Sequence, residues 1–191
     1  MAGRQGERRA QILQTLASML ENPCAEKITT KTLAAQLDVS EAALYRHFAS
    51  KAQMYEGLIE FIETTLFSLI NRIQSDSEDG CAQAEQIVSM LLSFAEKNPG
   101  MTRVLTGEAL VHENERLQQR INQLFDRIEA ALRQSLRVAQ LADQLPRGHD
   151  INAHAAVLTA YVTGRWQFFV KTGFKRHPQE GWEAQRAFLL G

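Results

Sequence analysis

Apolar residues recur along this chain at three- and four-residue steps. No alternation is long enough to suggest a strand, so helices are predicted throughout. Ile12, Leu13, Leu16, Ala17 and Leu20 mark one face of a first helix, from about Glu7 to Glu21, which Asn22-Pro23 stops. A long helix from about Ser50 to Ser75 carries Met54, Leu58, Phe61, Ile62, Leu66, Leu69, Ile70 and Ile73 as its stripe and breaks at "SDSEDG". The next helix, about Ala82 to Lys97, ends at Asn98-Pro99-Gly100. A shorter one, about Met101 to His112, leads into another long one, about Glu113 to Ala142, with Leu117, Ile121, Leu124, Ile128, Leu132 and Leu136 in register. After the loop "DQLPRGHD", the last two helices are predicted at Asp150–Thr172 and Gln179–Leu190. The chain therefore reads as all-α, with about nine helices, no internal repeat, an N-terminal module at 1–50 and a helical body at 51–191.

The stretch "ITTKTLAAQLDVSEAALYRHFASK", residues 28–51, breaks this pattern. It predicts two very short helices joined by a three-residue turn. Each falls below the roughly 12–15 residues at which an isolated helix becomes even marginal in water. Leu33, Ala34 and Leu37 face one way, Val39, Ala43 and Leu44 face back, and Phe48 closes the far side. Ser40 is placed to cap the second helix, with Glu41 beside it. This is a helix-turn-helix pattern, whose second helix is held by its neighbours and offered to a DNA major groove. Ser40, Glu41, Ala42, Tyr45 and Arg46 line its outer side. Thr29, Thr30, Tyr45, His47 and Lys51 can bond phosphate oxygens. Ala42 offers a methyl to thymine, Glu41 can accept from a cytosine amino group, and Arg46 can reach guanine or phosphate. A helical hairpin whose polar face is merely solvated is the plainer alternative.

Charge sharpens the picture only locally. The 191-residue chain has a formal net charge of −1. Residues 1–55 hold seven Lys/Arg against five acids, whereas residues 56–80 hold six acids against Arg72 alone. The N-terminal end is thus the least unfavourable place for a phosphate backbone. Apolar residues make up 45%, enough for a core, and no run approaches the roughly 18 residues of a membrane span. The N-terminus lacks the apolar run of a signal peptide. Cys24 and Cys81 are isolated, so reduced thiols and a cytoplasmic location are expected. No nucleophile motif or phosphate-cradling glycine loop suggests an enzyme, and no cofactor is expected. His149 and His154, five apart across a loop-to-helix boundary, have poor spacing for a metal pair. "YVTGRWQFFVKTGFK" can line a ligand pocket or fill core and a dimer surface. In the second case Gly164 admits a close helix, with Tyr161, Trp166 and Phe169 filling the contact.

"LAAQLDVSEAALYRHFASK" resembles the DNA-binding domain of the TetR family of regulators, with Asp38 where the family commonly has glycine in the turn. "LIEFIE", "NPGMTRVLTGEAL" and "ERLQQRINQLFDRIEAALRQ" lie outside that domain and resemble a narrower branch of the family, the nucleoid occlusion factors. The resemblance implies a homodimer that pairs through helices 150–172 and 179–190 and binds palindromic double-stranded DNA at the nucleoid. It further implies that the DNA-bound protein engages the C-terminal tail of the division protein FtsZ. Phe61, Leu69, Met90, Ser93, Lys97 and Asn98 match the branch's tail-binding positions, with Leu69 replacing an arginine and Ser93 a glycine. From the residues alone, Phe61, Leu69 and Met90 read equally well as ordinary core. A ligand-responsive TetR-type repressor is the alternative function.

Overall fold

The computed structural model describes residues 2–22, 28–111 and 113–190, with side chains from residue 6 onward. Pro23, expected to stop the first helix, Cys24, expected as a thiol, and His112, expected as a helix end, lie outside the described residues. Every element among the described residues is helical, as the apolar spacing predicts: α1 (Ala2–Leu20), α2 (Thr30–Gln36), α3 (Glu41–Tyr45), α4 (Lys51–Asp76), α5 (Gly80–Lys97), α6 (Pro99–Leu105), a 3-10 turn (Glu108–Leu110), α7 (Glu115–Leu141), α8 (Ile151–Lys171) and α9 (Trp182–Leu190). The expected 101–112 helix is shorter than its pattern and starts earlier. Pro99 opens α6 at a position that needs no donor, and left-handed Gly107 (φ 77°) separates α6 from the 3-10 turn. Among the described residues no helix is long and apolar enough to cross a membrane.

The chain divides into two compact units. The first comprises Met1–Ile62 and Asn98–Ile121, and the second Glu63–Lys97 and Asn122–Gly191. In the first, Ile12, Leu16 and Leu20 of α1 are buried, as are Leu33, Leu44, Phe48, Met54, Leu58, Val104 and Leu105. The end of α1 is closed from outside itself. Gly100 lies so near that a Cβ there would stand 2.0 Å from the Ala17 carbonyl oxygen. Arg103 donates through Nη1 to the carbonyls of Leu20 (3.0 Å) and Asn22 (2.9 Å) and forks onto Glu108 at 2.5 and 2.9 Å. The Leu20 carbonyl is among the acceptors that a helix end cannot satisfy internally, and Asn22 is the second residue beyond that end.

In the second unit α5 packs its buried face of Ile87, Val88, Leu91, Leu92 and Ala95 alongside buried Ile128, Leu132 and Leu136 of α7 and Leu158, Val162 and Trp166 of α8. Gly80 permits the α5–α7 approach, since a Cβ there would sit 2.2 Å from Ala139 N and 2.4 Å from Ser135 O. The full predicted stripe of α7, Leu117 to Leu136, is at most 1% exposed. Gln74 reaches from α4 to the Ala131 carbonyl and to Ser135, satisfying polar atoms beside this core.

Tyr55 gives the first unit a pH signature. Burial, then the nearby Glu113, with Glu108 adding and Arg103 opposing, pushes its phenol from 10.0 up to about 12. Between those two values the folded chain holds a proton that the unfolded chain has released, so stability falls as pH rises through that window and is intact below it. Tyr55→Phe is expected to flatten the loss of urea-measured stability between pH 10 and about 12 relative to wild type. An unchanged slope would show that Tyr55 is not its source.

Candidate nucleic-acid interface and partner surface

The two short helices are secured at each junction by side chains and turn chemistry. Thr29 caps α2 through a reciprocal box: Thr32 N–H donates to Thr29 Oγ1 (3.1 Å) and Thr29 N–H donates to Thr32 Oγ1 (3.0 Å). The far end of α2 closes as a Schellman turn, with Val39 N–H on the Ala34 carbonyl (3.0 Å) and Asp38 N–H on that of Ala35 (3.2 Å). That turn requires a left-handed residue, and Asp38 supplies it at φ 53° in place of the family's glycine. Ser40 then caps α3, its Oγ accepting from Ala43 N–H at 3.3 Å. Leu33, Ala34, Leu44 and Phe48 pin the pair from within.

What remains outward is Thr29, Ser40, Glu41, Ala42, Tyr45 and Arg46, all exposed, with Thr30 half-buried beside them. Three polar groups of this face are already joined. Thr30 Oγ1 donates to Glu41 Oε2 at 2.6 Å, and the Tyr45 hydroxyl donates to Thr30 Oγ1 at 3.4 Å. Two expected phosphate contacts are less open than the rest of the face. Lys51 is not offered outward: its Nζ sits 2.5 Å from Glu113 Oε1 and over the Tyr55 ring, with its side chain only 20% exposed. The reason is helical phase. Lys51 opens α4 and points into the first unit rather than along α3. His47 is half-buried, and its carbonyl accepts from Arg9 Nη1 at 2.7 Å. Arg9, which the sequence marks only as a charge, also lies 4.3 Å over the Phe48 ring and ties α1 to the end of the pair. An arginine one helix away carries no sequence signal for that contact.

The six expected partner positions fall in both units. In the first, Phe61 is 49% exposed at the rim of an apolar cavity of about 190 Å³ lined by Ala10, Leu13, Gln14, Leu58 and Met101, while Asn98 precedes α6. In the second, Leu69 of α4 is 38% exposed. Met90, Ser93 and Lys97 share one face of α5 by their spacing, opposite its buried residues, with Met90 and Ser93 half-buried and Lys97 exposed. Of the two readings open for Phe61 and Leu69, ordinary core does not hold, since both face solvent.

The expected dimer residues of α8 separate too. Trp166 is fully buried and donates its indole N–H to the Leu91 carbonyl at 3.2 Å. Phe169 is 2% exposed against Phe174. Both are core of the second unit and present no surface to a second copy. Tyr161 is half-buried and donates to Gln185 Oε1 of α9, whereas nothing lies within 4 Å of a Cβ built on Gly164. Gly164 lies in an outer apolar row with Ala153, Val157, Ala160 and Phe168, and Val157 and Phe168 are about half exposed. The signal for that row is that α8 is apolar all round, more than one core needs. His149 and His154 meet: Nε2 of one is 2.9 Å from Nδ1 of the other. The His154 Nε2–H donates to the Leu189 carbonyl at 2.6 Å, which leaves its Nδ1 to accept from His149. Burial lowers the His154 pKa, the Leu189 bond opposes that, and His149 adds to the lowering. Among the described residues no cluster of three or more His, Cys, Asp or Glu is gathered for a metal.

Comparison with known proteins agrees along nearly the whole length. Residues 25–58 match the bacterial regulatory proteins of the TetR family, and residues 78–191 match the SlmA-like C-terminal domain of tetracyclin-repressor-like proteins. The chain is 52% identical over 183 residues to nucleoid occlusion factor SlmA of Vibrio cholerae, covering 95% of this chain and 93% of that one. It is 50% identical over 189 residues to SlmA of a Marinomonas species, covering 99% and 96%. In fold it resembles a TetR transcription regulator from Haloarcula marismortui, with TM-score 0.81, 14% identity and 97% of each chain covered. It also resembles the regulator FadR from Bacillus subtilis, solved with stearoyl-CoA, with TM-score 0.76, 16% identity, 95% of this chain and 97% of that one covered.

The turn yields its own prediction. Left-handed backbone costs a residue with a Cβ up to about 1–2 kcal/mol, less for Asp than for most. Asp38→Gly is expected to raise the free energy of unfolding by up to about 1 kcal/mol and Asp38→Val to lower it by about 1–2 kcal/mol, with the thermal midpoints moving in the same directions. Equal stability of all three proteins would contradict the left-handed turn.

Proposed function

The chain belongs to the SlmA family of nucleoid occlusion factors within the TetR family of regulators, and from that premise we propose that it acts as a DNA-activated inhibitor of division-ring assembly. As a nucleoid occlusion factor of TetR type it is a DNA-binding regulator rather than an enzyme. In the proposed mechanism residues 1–50 form the DNA-binding module and 51–191 the regulatory and dimerisation body. A homodimer presents two copies of α3 to a palindromic chromosomal site, so the protein resides on the nucleoid. The bound dimer takes the C-terminal tail of FtsZ and prevents ring assembly over DNA.

The observation that carries the partner half of this reading is the exposure of Phe61 on a helix whose neighbouring stripe residues Met54, Leu58, Ile62 and Leu66 are buried. An aromatic ring at the rim of an apolar cavity offers an anchor for an apolar side chain of a peptide. Met90, Ser93 and Lys97 supply a second, mixed face on α5, with a cation for an acidic residue. α4 follows the helix-turn-helix after a short link, so docking of α3 can bias it. Such coupling is reciprocal: the tail must tighten DNA binding by the factor by which DNA tightens tail binding.

The test is fluorescence anisotropy of a labelled FtsZ tail peptide, with and without operator DNA. Phe61→Ala and Asn98→Ala are expected to abolish tail binding with DNA affinity nearly unchanged, and Lys97→Glu to weaken it. Undiminished binding in all three variants overturns the surface. No tail binding by the wild type points instead to an ordinary ligand-responsive repressor. For the dimer, Gly164→Arg is the informative change, because the open space at Gly164 lets one protomer accept it. It is expected to sediment as a folded monomer at micromolar concentration and to lose palindrome binding. A dimer unaffected by Gly164→Arg places the interface elsewhere.

A further inference from the structure

The hydrogen bonds on the outer face of the helix-turn-helix run in one direction. Tyr45 donates to Thr30 Oγ1 at 3.4 Å, and Thr30 spends its only hydroxyl proton on Glu41 Oε2 at 2.6 Å. A threonine hydroxyl has one proton to give. Thr30 in this arrangement has none for a phosphate oxygen, which departs from its expected place among the backbone contacts. Glu41 has a different problem. It is an exposed carboxylate on the first residue of the recognition helix, where DNA would bring phosphate charges that repel it. Beyond favouring the positive N-terminus of α3, a carboxylate there can serve DNA as an acceptor for an amino group in the groove, which means cytosine N4 or adenine N6. An unrestrained glutamate would lose rotamer freedom on making that bond. Thr30 holds one carboxylate oxygen from the neighbouring helix, fixing the side chain and leaving Oε1 as the acceptor.

We propose that Thr30 is a specificity-positioning residue: it reads no base and no phosphate, but sets the Glu41 carboxylate to prefer, at one position on one strand, a base that carries an amino donor in the major groove (cytosine or adenine) over guanine or thymine. The proposal rests on the DNA-binding reading above. The Tyr45 bond is long, so Tyr45 can turn its hydroxyl to a phosphate without releasing Glu41. Thr30 differs from Thr29 in this respect, because the Thr29 hydroxyl is used within its own capping box.

The experiment selects bound sequences from a random duplex pool at fixed salt, using the full chain as wild type, Thr30→Val, Thr30→Ser and Glu41→Gln. It also measures the salt dependence of binding and the thermal midpoint of each protein. Thr30→Val removes the hydroxyl at nearly constant shape. It is expected to lower discrimination about fivefold or more at the same base pairs that Glu41→Gln alters, with non-specific affinity and salt slope unchanged. Thr30→Ser, which keeps the donor, is expected to select as the wild type does. If Thr30→Val instead weakens binding evenly to all sequences and reduces the salt slope, Thr30 is a phosphate contact and the proposal is overturned. It is also overturned if Glu41→Gln leaves the preference of a selective wild type unchanged, or if Thr30→Ser fails to rescue. A wild type that enriches no sequence overturns the DNA-binding reading itself, and this proposal with it.

Discussion

The guanidinium of Arg103 supplies the hydrogen bonds that α1 cannot make at its own C-terminus. It is only 8% exposed, yet it bonds the carbonyls of Leu20 and Asn22 and forks onto Glu108. A buried cation without such partners is costly, and buried carbonyls without donors are costly too, so each side of this contact requires the other. Gly100 makes the geometry available by letting α6 approach the Ala17 carbonyl without a side chain between them. With its end closed, α1 presents Ile12, Leu16 and Leu20 as a fixed wall of the first unit. Arg9, about two turns into α1, reaches the His47 carbonyl and the Phe48 ring. The DNA-facing pair has too few residues to be stable alone and is held through these contacts.

The same economy explains why the outer face of that pair is chemically spare. Ser40 and Thr29 spend their oxygens on caps, Asp38 spends its conformation on the turn, and Lys51 spends its charge on Glu113. The groups left for a groove are few: Glu41, Ala42, Tyr45 and Arg46, with the first tied to Thr30. Recognition by so small a surface gains from two-fold repetition, which multiplies contacts without enlarging the module. The exposed apolar row along α8 matches that requirement. Its members are small or half-exposed, and the large aromatic residues of the same helix are turned into the core.

Helix existence, helix order and the helix-turn-helix were legible because they follow from local chemistry. Apolar periodicity marks a buried face, Ser and Thr mark N-caps, and an Asp between Leu37 and Val39 can adopt the left-handed turn. The stripe of α7 was legible for the same reason, since one face of one helix decides it. The family resemblance was carried by motifs of this local kind, and the agreement with relatives extends it to the whole chain.

Periodicity, however, specifies which residues share a face and not how much of that face is covered. Phe61 and Leu69 continue the α4 stripe as faithfully as Leu58 and Leu66 do, and only the extent of neighbouring helices leaves the first two in solvent. Trp166 and Phe169 are as apolar as Val157 and Phe168, and the direction of packing on α8 alone turned the former inward. Lys51, Arg103 and Thr30 are polar residues whose partners lie 62, 83 and 11 residues away at the far end of a hydrogen bond. The sequence by itself determined the helices and the kind of chemistry each can offer. The tertiary structure decided which of those groups are spent on one another and which remain for DNA or a partner, because a hydrogen bond or a covered surface depends on distance in space rather than along the chain.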